Sequence, residues 1–164
     1  MMNGEKNPVM MNNDVLRSVR YMLNLNNDHL LAILALVEMT VPPQQLASYV
    51  KKEDEAGYQP CPDIVMSYFL NGLILQKRGK DENQPALQVE RKITNNIILK
   101  KLRVAFSLKT TDIQEILAAQ NFRVSQPELT AMMRSPDHKN YRVCGDQILR
   151  YFLKGLTARV RQRG

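Results

Sequence analysis

The chain has no tryptophan and only four phenylalanines and six tyrosines among 164 residues. Strand-type alternation of apolar and polar residues is scarcely found, which argues against a sheet. Nine methionines, many leucines and few aromatics suit helices instead. No apolar run approaches the roughly 20 residues that a membrane helix needs. Met1 to Met11 has no apolar core of the kind a secretion signal carries, and reads as a frayed tail with a natural start near Met10 or Met11. Two cysteines without such a signal point to a reducing, cytoplasmic setting with free thiols. There is no glycine-rich phosphate loop, no Cys-x-x-Cys, no Ser/His/Asp signature and no His-Glu-x-x-His helix. His29, His138, Cys61 and Cys144 match no zinc-ligand spacing. Nothing in the sequence calls for a metal, a cofactor or catalysis.

What the sequence does contain is a copy of itself. A shift of 83 positions aligns Asn12-Asn13 with Asn95-Asn96, Leu16 with Leu99, Arg20 with Arg103 and Ile33-Leu34-Ala35 with Ile116-Leu117-Ala118. The same shift aligns Asp54, Tyr58, Cys61 and Asp63 with Asp137, Tyr141, Cys144 and Asp146. It also aligns Tyr68-Phe69-Leu70 and Gly72 with Tyr151-Phe152-Leu153 and Gly155. One offset over so long a stretch defines a duplication. We divide the chain into a flexible tail (1–11), repeat 1 (12–80), a linker (81–94) and repeat 2 (95–164).

Each repeat reads as four amphipathic helices, so the fold is expected to be all-α. The spacing predicts a first helix over about Asp14–Leu25, capped by Asn12 or Asn13. A second starts near Asp28, where Thr111 with Gln114 offers a capping box in the other copy. A third follows Val41, and in repeat 2 Ser125 with Glu128 offers another box, with Pro127 in the tolerant first turn. The fourth runs from near Asp63 to Lys77 and ends at Gly79. Short amphipathic helices cannot bury their faces alone, so the two repeats should pack face to face about a pseudo-twofold axis. Gly72 and Gly155, inside matching helices, imply close approach of two backbones.

The segments Asn13-Asp14-Val15-Leu16-Arg17-Ser18-Val19-Arg20-Tyr21, Cys61-Pro62-Asp63-Ile64-Val65, Phe69-Leu70-Asn71-Gly72-Leu73-Ile74 and Lys77-Arg78-Gly79-Lys80-Asp81-Glu82 form a specific pattern. So does Ala131-Met132-Met133-Arg134-Ser135-Pro136-Asp137-His138-Lys139-Asn140. Together they resemble the YehS-like family, bacterial proteins built from two copies of a domain of unknown function numbered 1456. The resemblance covers nearly everything after Met11. It implies a cytoplasmic tandem-repeat protein and carries over no catalytic or binding residues, so function is argued from the side chains.

The densest shared pattern is the loop Asp54, Tyr58, Cys61, Asp63 and its copy Asp137, Tyr141, Cys144, Asp146. A thiol near a helix N-terminus can be nucleophilic, but neither cysteine has a matching histidine. The reading kept is a small buried residue under the loop. Arg20 and Arg103 recur in apolar helices, and are expected to form ion pairs with Asp54 or Asp63 and with Asp137 or Asp146 rather than to hold an anion.

Charge separates the copies. Residues 12–80 carry seven basic and seven acidic side chains, whereas 95–164 carry thirteen and five, a net +8. Arg150, Lys154, Arg159 and Arg161 on the last helix, with Lys100 and Lys101 apart from them, form the candidate nucleic-acid contact. A helix-turn-helix over Ile113–Ala119, Asn121–Val124 and Ser125–Arg134 is a weak second pointer. Two functions remain in view, a non-enzymatic nucleic-acid-binding or regulatory module, and a protein-interaction adaptor with a groove between the repeats. A cysteine-dependent enzyme ranks third. No membrane partner is indicated, and the oligomeric state is open.

Overall fold

The computed structural model describes residues 10–163 and contains eight helices and no strand among them. They are α1 (Asn12–Met22), α2 (Asn27–Ala35), α3 (Pro43–Tyr49), α4 (Asp63–Arg78), α5 (Asn95–Ala105), α6 (Thr110–Ala118), α7 (Gln126–Met132) and α8 (Asp146–Arg163). The protein is thus a tandem duplication of a four-helix unit. Nearly all of the expected tail, and Gly164, lie outside the described residues. No described helix is long and apolar enough to cross a membrane.

The packing repeats with the sequence. Within the first unit α2 lies on α3 and α4, and α1 touches α4; α6, α7, α8 and α5 do the same in the second. Between units α4 packs on α5, and α8 on α1. Exchanging the two copies turns each of these contacts into the other, as a twofold relation requires. One continuous apolar cluster results, from Val15, Leu16 and Val19 through Phe69 and Leu73 to Leu99, Phe152 and Leu156.

Helix ends follow the duplication as well. After α1, Asn24 adopts φ 54 and Leu25 N–H reaches back to Arg20 O at 2.8 Å; Ser107 (φ 54) and Leu108 N–H to Arg103 O at 2.9 Å repeat it. After α2, Glu38 (φ 58) precedes Met39 N–H to Leu34 O at 3.1 Å, matched by Asn121 (φ 60) and Phe122 N–H to Leu117 O at 3.0 Å. These left-handed ends satisfy carbonyls that the helix leaves open. Gly79 closes α4 at φ 78, as expected.

Two expected helix starts need correction. Met11, not Asn12 or Asn13, precedes α1, and its N–H is held by Asp14 at 3.0 Å. The two asparagines sit inside the helix, where their amides serve a different purpose described below. Helix α6 starts one residue before Thr111, and Asp112 bonds the Lys109 N–H at 2.7 Å, so the Thr111–Gln114 box does not form. The Ser125–Glu128 box does form, with both bonds at 3.2 Å. Residues 119–125 separate α6 from α7, too long for the tight turn of the helix-turn-helix reading.

Both buried glycines lie at helix crossings. A methyl group on Gly155 would stand 2.6 Å from Ile116 O and 2.7 Å from Ile116 Cγ2, and one on Gly72 would strike Ile33 O and stand 2.9 Å from its Cγ2. Alanine normally favours a helix by up to about 1 kcal/mol over glycine. Here a rigid backbone carbonyl blocks the methyl, so Gly72→Ala and Gly155→Ala should each destabilise by about 1–3 kcal/mol in urea unfolding. Conversely, Glu38 is exposed at positive φ, so Glu38→Gly should raise stability by about 1 kcal/mol in the same assay, relieving a left-handed β-carbon.

Candidate functional site

The shared loop is organised by the two asparagines at the start of α1 and of α5. Asn13, 1% exposed, donates through Nδ2 to Tyr49 O at 3.0 Å and Gln59 O at 2.9 Å, and accepts from Cys61 N–H at 3.0 Å. Asn96 repeats this with Met132 O at 3.0 Å, Arg142 O at 2.8 Å and Cys144 N–H at 2.9 Å. Asn12 donates to Cys61 O at 3.0 Å and Asp63 Oδ1 at 2.7 Å; Asn95 does so to Cys144 O at 3.1 Å and Asp146 Oδ1 at 2.7 Å. One carboxamide thus pins the end of the third helix, the loop and the approach to the fourth. The recurrence of Asn-Asn in both repeats was the visible signal for this role. Asparagine suits capping equally well, so the sequence does not separate the two roles.

Around this clamp the motif residues separate by task. Cys61 and Cys144 are buried, and burial, reinforced by Asp63 and Asp146, pushes each thiol up to about 12. A nucleophilic thiolate needs the opposite shift. Asp63 spans two partners, accepting from Asn12 and, through Oδ2, from Ile93 N–H at 3.0 Å. Tyr58 reaches Met11 Sδ at 3.6 Å, Tyr141 is half-buried, and Asp54 and Asp137 are exposed. Among the described residues no group of three or more His, Cys, Asp and Glu is placed to hold a metal ion.

The expected arginine–aspartate pairs are absent among the described residues. Arg20 Nε donates instead to Asn27 Oδ1 at 3.1 Å, while the buried Arg103 Nε has no acceptor. The reason lies in the next helix. Its first residue is Asn27 in one copy and Thr110 in the other, and the shorter side chain does not make the bond.

The two seams between the units hold the remaining candidates. On the α4–α5 seam the linker runs along α4, and three α4 side chains spaced four residues apart hold its backbone. Asp63 takes Ile93 N–H, Ser67 Oγ takes Glu90 N–H at 2.8 Å, and Asn71 Nδ2 donates to Gln88 O at 3.0 Å. Lys101 Nζ adds bonds to Asn71 Oδ1 at 2.8 Å and Gln88 O at 3.3 Å, and burial pulls its ammonium below the usual lysine value. On the α8–α1 seam the equivalents of Asp63, Ser67 and Asn71 are Asp146, Arg150 and Lys154. Arg150 and Lys154 line a groove of about 570 Å³ with Asp14, Arg17 and Tyr21. Asp14 and Arg17 pair at 2.6 Å.

The other basic candidates have structural partners. Arg161 Nη1 donates to Tyr21 O at 2.7 Å and its guanidinium lies 4.2 Å over the Tyr21 ring. Its copy Arg78 donates to Ser107 Oγ at 2.6 Å and Val104 O at 3.3 Å across the other seam. Both meet the negative end of a helix of the opposite unit. Arg159 pairs with Asp112 at 3.3 Å. Lys100 is half-buried on α5 and does not line the α8–α1 groove. Ser67 and Asn71 are 1% and 2% exposed beneath the linker, whereas Lys154 is exposed. Part of the charge difference between the repeats is thus a burial effect, since charge at 67 or 71 would be costly to desolvate.

A duplicated helical unit with clamped loops and two unlike seams defines a tandem-repeat helical protein. The family model described as "Protein of unknown function (DUF1456)" matches residues 12–79 and again 95–164, and the chain belongs to that family. It is 65% identical over 150 residues to the "Uncharacterized protein YehS" of Escherichia coli (strain K12), across 92% of this chain and 96% of that protein. No solved structure matches the chain.

Removing the clamp takes the partner from three backbone groups at once, two of them in buried bonds. Asn13→Ala and Asn96→Ala should each destabilise by about 3 kcal/mol or more, read as a lowered urea midpoint. The raised thiols set a second expectation. A folded-state value of about 12 against 9.0 means that their contribution to stability is complete below pH 9 and is lost as pH rises toward 12. Urea midpoints should fall over that window in the parent and more shallowly in Cys61→Ala/Cys144→Ala. An equally steep fall in the double variant would contradict the assignment.

Proposed function

We propose that the protein is a non-enzymatic interaction module that receives an extended, acidic polypeptide segment along the α8–α1 seam. The observation that carries this reading is the opposite seam, where the same helix face holds the linker through side chain–backbone bonds. At the two equivalent positions Arg150 and Lys154 replace Ser67 and Asn71, which adds affinity for carboxylates. A nucleic acid using Arg150 and Lys154 is the second reading, favoured by the +8 charge of repeat 2. It ranks lower because Arg159, Arg161 and Lys101 already serve the fold. Two buried free thiols suit a reducing compartment.

A fluorescein-labelled, glutamate-rich decapeptide and a labelled mixed-sequence single-stranded DNA test the two readings by anisotropy at several salt concentrations. The peptide should bind. Lys154→Asn together with Arg150→Ser, which restores the repeat 1 residues, should weaken it about tenfold while helicity is retained. DNA binding with a steep salt dependence, and none of the peptide, would transfer the assignment to nucleic acid. Unchanged peptide affinity in the double variant would rule out the groove as the binding site.

A further inference from the structure

The α4–α5 seam contains a second cavity, of about 1000 Å³, bounded on one side by the linker. Three of the large apolar side chains exposed on the described surface, Leu36 (50%), Val89 (37%) and Val104 (38%), line it. Arg103 lines it too. Its Nε is sealed from solvent without an acceptor, and its side chain forms no hydrogen bond or ion pair within the described structure. The acidic side chains at the cavity are otherwise engaged. Asp81 caps Asn83 N–H at 2.9 Å, and Glu82 faces Lys80 at 3.8 Å. A guanidinium nitrogen sealed from solvent without an acceptor is unfavourable, because its desolvation is not offset. In the other copy Asn27 supplies that acceptor to Arg20. Here the duplication has kept the arginine, replaced its acceptor with Thr110, and opened an apolar cavity beside it.

We infer that this cavity binds a small amphipathic carboxylate, its head group on Arg103 and its hydrocarbon chain over Leu36, Val89 and Val104. Ligand cavities of this size combine a mainly apolar lining with a few polar anchors, and arginine is the side chain whose planar fork matches a carboxylate. The site lies on the opposite seam from the peptide groove and does not depend on that reading.

Calorimetric titration of the full chain with decanoate tests it, with decanol, acetate and inorganic phosphate as comparisons. Decanoate should bind at least about tenfold more tightly than decanol, which lacks the charge, and than acetate, which lacks the chain. Arg103→Met, which keeps the stem, should reduce decanoate to the level of decanol. Thr110→Asn leaves Arg103 in place and returns the acceptor that Arg20 enjoys, so it should also weaken decanoate while raising thermal stability. Arg20→Met should leave decanoate affinity unchanged. Equal affinity for decanol, phosphate as tight as decanoate, no decanoate binding at all, or a Thr110→Asn protein that binds decanoate like the parent would each overturn the inference.

Discussion

In each repeat one buried carboxamide, Asn13 or Asn96, makes three hydrogen bonds to backbone groups far away in sequence. The loop it serves has no regular ladder of its own, and a buried backbone group without a partner is expensive. By supplying two donors and one acceptor from a helix, the carboxamide lets an irregular segment pass beneath the surface and deliver the chain to the start of α4 or α8. Asn12 and Asn95 complete the arrangement by holding the first-turn aspartate of that helix. The position of the long helix follows, and with it the crossing at Gly72 or Gly155 and the face offered to the other unit.

The twofold relation between units explains why the same side chain means different things in the two copies. Arg78 and Arg161 act alike, each binding the C-terminal end of the partner unit's first helix. The stripe one turn apart along α4 and α8 does not. Under the linker it is Ser67 and Asn71, neutral and buried; on the other seam it is Arg150 and Lys154. A common backbone holds both, and local solvation decides which side chains it tolerates. The same divergence separates Arg20 from Arg103. Side-chain differences between the duplicated units are therefore found at positions where the fold is identical and the neighbours are not.

This arrangement leaves little room for covalent chemistry at the most heavily shared motif. The cysteines are small buried fillers whose thiols stay protonated, and the aspartates beside them hold amides. The recurrence of Cys and of the second Asp in both copies goes with matching bonds to the paired asparagines. The copies differ instead at the seams.

The duplication, the all-helical class, the four helices of each unit and the close approach at Gly72 and Gly155 were determined by the sequence alone. Helical periodicity and a constant offset are local or one-dimensional signals, and no tertiary contact alters them. Pairing across the units was not legible. Asn13 was readable as a cap, and Arg20 as the partner of an aspartate, because each side chain has several chemically sound partners. The partner used depends on which segment folding brings within 3 Å. The surroundings of the basic stripe were not legible for the same reason: Arg159 and Arg161 look outward by helical spacing, yet Asp112 and Tyr21 approach from α6 and from the other unit. The groove on α8 joins elements from opposite ends of the chain, and the cavity around Arg103 lies where α4 and the linker meet α5, so only the packing of one unit on the other could create them.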